Sequence, residues 1–265
     1  MALVRALLRR DWQIERTYQL SLLLNVADVV VLAITIYFVA RLIEDPAALE
    51  GYDGTYFDFA IVGVAVNSFA GVGLQGFTGS ITHEQSTGTI DLLLASPARH
   101  VELIAGMFVL PFTFATVQVV GLLAIGVGLI GSGIPLGGLI LSAPILLLTS
   151  ATFAAVGIAA AGILLVTKRG DPISGPFYQV SLLLSGALFP LEELPAFFRV
   201  IGALLPATWG IRAIRELLLA DAGWQDVVPE VIALCVFTVV MLPLGMWVFR
   251  RSLASARRRG IVGSY

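Results

Sequence analysis

Polar side chains set inside long apolar runs are where this chain could do chemistry. A carboxylate or amide in such a run either handles a polar solute or ties helices together. Asp28 lies in the apolar run Leu20–Ala40, and Ser21, Asn25, Asp28 and Thr35 recur at helical spacing, so they share one helix face. A carboxylate in a membrane span is costly and rarely faces lipid. It either lines a translocation path or forms a hydrogen-bonded clamp near one end of the span. In the next run Gly63, Asn67, Gly71, Gln75 and Gly79 follow each other every four residues. Small residues at that interval let helices approach, and the amides can bond across the contact or line a cavity. Asn25, Asp28, Asn67 and Gln75 are therefore the candidate lining of a substrate path, with Gln118 a weaker case.

Catalytic and nucleotide-binding patterns fail on context. Gly126, Gly128 and Gly131 form a GxGxxG string, but it ends an apolar run instead of opening a helix after a strand. No GxxxxGK[ST] loop occurs, so no phosphate cradle of that kind is expected. His83 and His100 are the only histidines and Cys235 the only cysteine, too few for most metal sites. Neither histidine lies in an apolar run to act as base for a nucleophile there. The expectation is a chain with no catalytic residues, metal or cofactor of its own.

The elements that must position these residues follow from composition. The chain has 265 residues, 58% of them hydrophobic and 13% charged, with a mean hydropathy of +0.93. A soluble domain needs more polar surface than that, whereas lipid accepts exposed leucine and valine. Crossing the hydrocarbon takes roughly 20 apolar residues as a helix. Six runs qualify: Leu20–Ala40, Tyr56–Gly79, Val101–Ile130, Leu136–Val166, Ile173–Phe189 and Val227–Phe249. They are too long for barrel strands. The fold class predicted is all-α, a polytopic membrane protein forming a single domain over 1–265, with a six-span bundle over 20–249. Pro144 is expected to kink the fourth span. No cleavable signal peptide is read at the N-terminus.

Placement of arginine and lysine sets orientation. With both termini in the cytoplasm, twelve of the 16 basic residues fall on that side: Arg5, Arg9, Arg10, Arg16, Arg99, Lys168, Arg169, Arg250, Arg251, Arg257, Arg258 and Arg259. Only Arg41, Arg199, Arg212 and Arg215 fall outside. The implied location is the inner, cytoplasmic membrane. Residues 1–18 alternate basic and apolar faces around Trp12, which reads as an interfacial amphipathic helix; 250–265 reads as a basic cytoplasmic tail.

Two segments do not read as spans. After the second run, Glu84-Gln85-Ser86-Thr87-Gly88-Thr89-Ile90-Asp91-Leu92-Leu93-Leu94 lies on the cytoplasmic side. Its leucines can anchor a short surface helix, leaving Glu84, Gln85, Thr87 and Asp91 to face the cytoplasm and a soluble partner. Between Pro190 and Pro229, the apolar stretches Leu194–Leu205 and Ile211–Leu219 are framed by Pro195 and Pro206 and carry Arg212, Arg215 and Glu216. Two short helices, one entering the outer leaflet and returning, suit this pattern, since such backbone is tolerated where protein or water covers it.

These two blocks resemble one family, the type-2 ABC exporter permeases, membrane subunits that pair with a separate ATPase. The first block is Glu84 through Thr87-Gly88-Thr89 to Ser96-Pro97. The second is Leu188-Phe189-Pro190-Leu191-Glu192-Glu193-Leu194-Pro195, continuing to Pro206, Thr208, Arg212 and Arg215. The resemblance implies a dimer of permease subunits, identical or not, in contact with membrane lipids and with cytoplasmic ATPases that bind ATP and magnesium. It implies a coupling helix carrying Glu84, Thr87, Gly88, Thr89, Ile90, Asp91, Leu92 and Leu93. It implies an outer gate around Pro190, Pro195, Pro206, Arg212 and Arg215. The expected cargo is an amphiphile such as a drug, lipid or glycolipid. Export of polysaccharide or lipid-linked glycan is the alternative substrate class, and a membrane docking or sensor protein that moves no solute the alternative function. Nucleic acid is not expected as a partner.

Overall fold

The computed structural model describes residues 19–42, 55–88, 112–113, 115–123, 136–167, 171–220 and 222–258. Among them every regular element is helical: α1 Gln19–Leu42, α2 Tyr56–Ser86, α3 Leu136–Thr167, α4 Ser174–Leu184, a 3-10 turn Leu191–Glu193, α5 Ala196–Ala203, α6 Pro206–Leu219 and α7 Val228–Arg258. A helical stretch also covers 115–123. The all-helical expectation holds for these residues. Among the described residues three helices, α2, α3 and α7, are long and apolar enough to cross a membrane, and the α5–α6 pair, bent by 84°, makes a fourth if counted as one broken span. Residues 1–18 and most of Val101–Ile130 lie outside the described residues.

Local sequence explains the helix ends. Thr55 and Asp58 form a capping box at the start of α2: Thr55 N–H donates to Asp58 Oδ2 at 2.9 Å, and Asp58 N–H to Thr55 Oγ1 at 3.4 Å. α2 does not stop at Gly79 as its hydropathy suggests. Ser80 and Thr82 donate their hydroxyls to the carbonyls of Gly76 and Thr78, each at 2.8 Å. Polar residues so satisfied can extend a helix past its apolar part. It ends where Thr87 Oγ1 reaches the His83 carbonyl and Gly88 turns with φ of +71°.

The expected fifth span departs most from expectation. The helix within Ile173–Phe189 is α4, 11 residues long. At 1.5 Å per residue it covers about 16 Å, roughly half the hydrocarbon thickness. Gly186, at φ +82°, turns the chain out of it. Pro144 lies inside α3 without ending it, and α7 continues through Arg258, so residues 250–258 of the expected tail are helix.

Contacts fix helix directions. Tyr37 on α1 packs on Phe57. Along α2 and α4 the facing pairs are Tyr56 with Leu188, Asn67 with Ser181 and Thr78 with Ser174, an antiparallel register. α3 instead runs parallel to α2, with Gly73 on Ser150 and Ala154, and Gly157 on Leu74. α7 runs parallel to α3, with Gly245 on Ala155 and Gly162 on Phe249. Thus α2, α3 and α7 start at one end and finish at the other. The core lies between α2, α3 and α6, around Ile61, Leu74, Ile145, Phe153, Ile211 and Ile214. The outward face of α7 (Val236, Val239, Val240 and Trp247) is apolar and exposed.

Candidate functional site

Among the described side chains the charged groups lie toward the two ends of the bundle. One end is built around Arg215. A charged residue inside the apolar stretch Ile211–Leu219 must find polar partners, and Arg215 is 3% exposed. Its Nε and Nη2 donate to the Phe59 carbonyl at 3.2 and 2.8 Å, Nη1 to Gly186 at 2.7 Å, and Nη2 to Ala187 at 2.8 Å. The guanidinium lies over the Phe59 ring, 3.3 Å from its centroid. One side chain thereby joins α6, the first turns of α2 and the turn after α4. Gly63 makes room, since a Cβ there would collide with Ala187 O and the guanidinium.

Other bonds set the bend beside it. Thr208 Oγ1 donates to Gly202 O at 2.5 Å, Trp209 Nε1 to Ala203 O at 2.9 Å, and Arg199 Nη2 to the carbonyls of Glu192 at 2.8 Å and Leu194 at 3.2 Å. Arg212 pairs with Glu192 at 3.5 Å on the partly exposed rim. Of the predicted gate residues, Pro190 and Pro195 precede the 3-10 turn and α5, and Pro206 opens α6. Fixed φ and a missing N–H suit proline to helix starts. The arginines supply the contacts.

The opposite end holds Glu84, Thr87 and Gly88. Glu84 is a correction to the sequence expectation. It continues α2 and is buried at 4% exposure, so it does not face the cytoplasm. The reason is the helix continuation past Gly79. Thr87 and Gly88 are exposed. Thr89, Ile90, Asp91, Leu92 and Leu93 lie outside the described residues. At this end Asp171 Oδ1 accepts from the N–H groups of Ile173 at 3.0 Å and Ser174 at 2.9 Å, capping α4. Partial burial works to raise the Asp171 pKa, but hydrogen bonds from the Ser174 N–H, the Thr78 and Ser174 hydroxyls and the Ile173 N–H prevail and hold it below its ordinary value.

Of the predicted path residues, the side chains of Asn67 and Gln75 are described, and they have different surroundings. Asn67 is fully buried and accepts from Ser181 Oγ at 3.0 Å, while Gln75 is exposed. Asn25 and Asp28 belong to α1, and their side chains lie outside the described residues. Thr35, on their face, is exposed and donates to its own helix at Val31 O. Glycines of the four-residue repeat serve packing at two points, Gly63 against the α4 turn and Gly71 against Tyr178, whereas at Gly79 a Cβ would meet none of the described residues within 4 Å. Sequence reasoning missed Phe59 and Ser185 at the first end and Asp171 at the second. Asp171-Pro172 ahead of an apolar run was a legible cap signal; no sequence signal marked Phe59 or Ser185.

The sequence profile described as ABC-2 type transporter matches residues 2–219, a stretch that includes both ends of the bundle. Among curated proteins, an 84-residue segment is 37% identical to Nodulation protein J of Sinorhizobium fredii, covering 30% of this chain and 32% of that protein. A 121-residue segment is 32% identical to Nodulation protein J of Rhizobium leguminosarum bv. trifolii, covering 43% and 44%. A 148-residue segment is 28% identical to ABC transporter G family member 20 of Dictyostelium discoideum, covering 54% and 20%. The matched segments therefore span less than half the length of each of these relatives.

Proposed function

Because the chain belongs to the ABC-2 type transporter family, we propose that it is the membrane-spanning permease subunit of an ATP-driven exporter in the cytoplasmic membrane. It moves an amphiphile (a drug, lipid or glycolipid) outward, and a separate ATPase subunit binds and hydrolyses ATP. The observation that carries this reading is the polarity of the bundle. Arg199, Arg212 and Arg215 sit with the bent pair at one end. Arg250, Arg251 and Arg258 sit with Glu84 and Thr87 at the other, following the parallel course of α2, α3 and α7. Arg41, over Tyr37 beside Phe57, joins the first end, so orientation rests on the whole sequence, where twelve of the 16 basic residues are read on the side of the second end; by the bias of such residues toward the cytoplasm, the second end faces the ATPase and the first faces outward. Both termini then lie in the cytoplasm.

The segment Glu84–Leu93 is the coupling element. Glu84 roots it in α2, so a push on Thr87–Leu93 is delivered along a 31-residue helix to Phe59 at the outer end. There Arg215 passes it to α6 and to the α4 turn. The bent pair α5–α6 is a re-entrant gate, and a second permease subunit completes the path. Asn25, Asp28 and Gln75 are its polar lining, whereas Asn67, fully buried against Ser181, ties α2 to α4. Proline in place of Asp91 or Leu93 is the test, since it is incompatible with the short helix proposed there. The expected outcome is loss of transport-coupled ATP hydrolysis in proteoliposomes, with unchanged assembly and melting of the chain. Normal coupled export by both variants would refute the coupling assignment.

A further inference from the structure

A small open cleft, with about 40 Å³ of room for water-sized molecules, lies at the outer end between α2, the turn after α4 and α6. Phe59, Leu191 and Ile211 give it an apolar floor; Ser185, Glu192 and Arg212 give it polar walls. Two features are unexplained by packing. Ser185 is 1% exposed, and its Oγ finds no hydrogen-bond partner among the described residues. A buried hydroxyl left in that state carries a desolvation cost that a ligand oxygen would relieve. Arg212, on the other wall, holds Glu192 at 3.5 Å, longer than the usual 2.7–2.9 Å of a charge-assisted bond, with both side chains substantially exposed.

We propose that this cleft is a binding site for a phosphoryl group, with Arg212 and Ser185 as its donors and the Glu192 carboxylate as a built-in competitor for Arg212. A guanidinium fork matches phosphate oxygens. A tetrahedral oxyanion presents oxygens in several directions, so it can accept from Arg212 and from the Ser185 hydroxyl together. The Arg212–Glu192 contact is an exposed pair of little strength, readily exchanged. The apolar floor beside these donors suits the first carbons of a lipid. The site thus names a substrate or effector class, phosphate-bearing amphiphiles, for the export reading on which it rests.

The test is binding to the purified full-length chain in phosphatidylcholine nanodiscs, by scintillation proximity. Radiolabelled short-chain phosphatidic acid and radiolabelled inorganic phosphate form separate arms. Saturable binding is expected, weakened about tenfold or more in Arg212→Ala, the range for loss of a charged hydrogen bond. Ser185→Ala weakens it about threefold or more, and Glu192→Gln tightens it by a similar factor. Binding of the lipid alone with this variant pattern assigns the site to a headgroup; binding of both assigns it to the free anion as well, and of phosphate alone to the free anion. Absence of saturable binding in both arms, or binding that Arg212→Ala and Glu192→Gln leave within twofold of wild type, overturns the proposal. Arg212 and Glu192 are on the rim, so these variants keep the fold. The assay needs neither ATPase nor transport, so its failure leaves the coupling test standing, and the reverse holds too.

Discussion

Replacing Arg215 by methionine keeps the length of the side chain and removes its charge and its donors. Four hydrogen bonds to three buried carbonyls are lost, together with the stacking on Phe59. Hydrogen bonds between membrane helices average about 0.6 kcal/mol and reach about 1.7. Four of them give about 2–7 kcal/mol, and a desolvated cation–π contact adds about 2. Removing a buried charge returns part of this, because the desolvation it required is also removed. A net loss of about 3–5 kcal/mol is the expected result, enough to be seen as a clear fall in melting temperature of the purified chain in detergent. Arg215→Lys retains charge but not the planar fork and loses about half as much. Gly63→Ala disturbs the same joint from the other side, through a methyl group that cannot fit, at about 1–3 kcal/mol. The three variants share one cause, so double substitution Gly63→Ala with Arg215→Met is expected to be less than additive. Melting of Arg215→Met within 1 °C of wild type would refute the assignment of Arg215 as the tie between α6, α2 and the α4 turn.

Gly245→Val brings a side chain onto the Ala155 carbonyl and forces α7 away from α3; a loss of melting temperature larger than that of Val239→Ala on the exposed face of α7 checks it. Asp171→Asn weakens the cap of α4. Since the pKa of Asp171 is lowered by folding, its charge stabilises the folded chain above its ordinary value of 3.8, and that contribution is lost as pH falls below it. The melting difference between wild type and Asp171→Asn is therefore expected at pH 7 and narrows toward zero on acidification below 3.8. Asn67→Leu leaves Ser181 without its acceptor in the apolar contact of α2 with α4; a paired Asn67→Leu, Ser181→Ala chain should melt higher than the single Asn67 variant.

Much of the helical layout was legible because lipid imposes length. α1, α2, α3 and α7 lie where long apolar runs were read; α2 runs past its apolar part where hydroxyls bond back into the helix, and α7 continues beyond Phe249 to Arg258. Proline spacing also marked the two short helices between Pro195 and Leu219. Hydropathy failed at Ile173–Phe189. A run that ends in a left-handed glycine is apolar enough for a span, yet the helix within it stops halfway. It failed again at Glu84, whose charge suggested exposure while helix continuation buried it.

The sequence by itself determined that this is a membrane chain built on long apolar helices, since apolar length is a property of the chain alone. It also placed Arg215 in the apolar stretch Ile211–Leu219, where a guanidinium needs polar partners. Which partners it takes was decided only in three dimensions. The carbonyls of Phe59, Gly186 and Ala187 have no signature in residue type, for every residue carries the same backbone oxygen. Only the antiparallel register of α2 and α4, the turn at Gly186 and the packing of α6 on α2 bring those oxygens around one side chain.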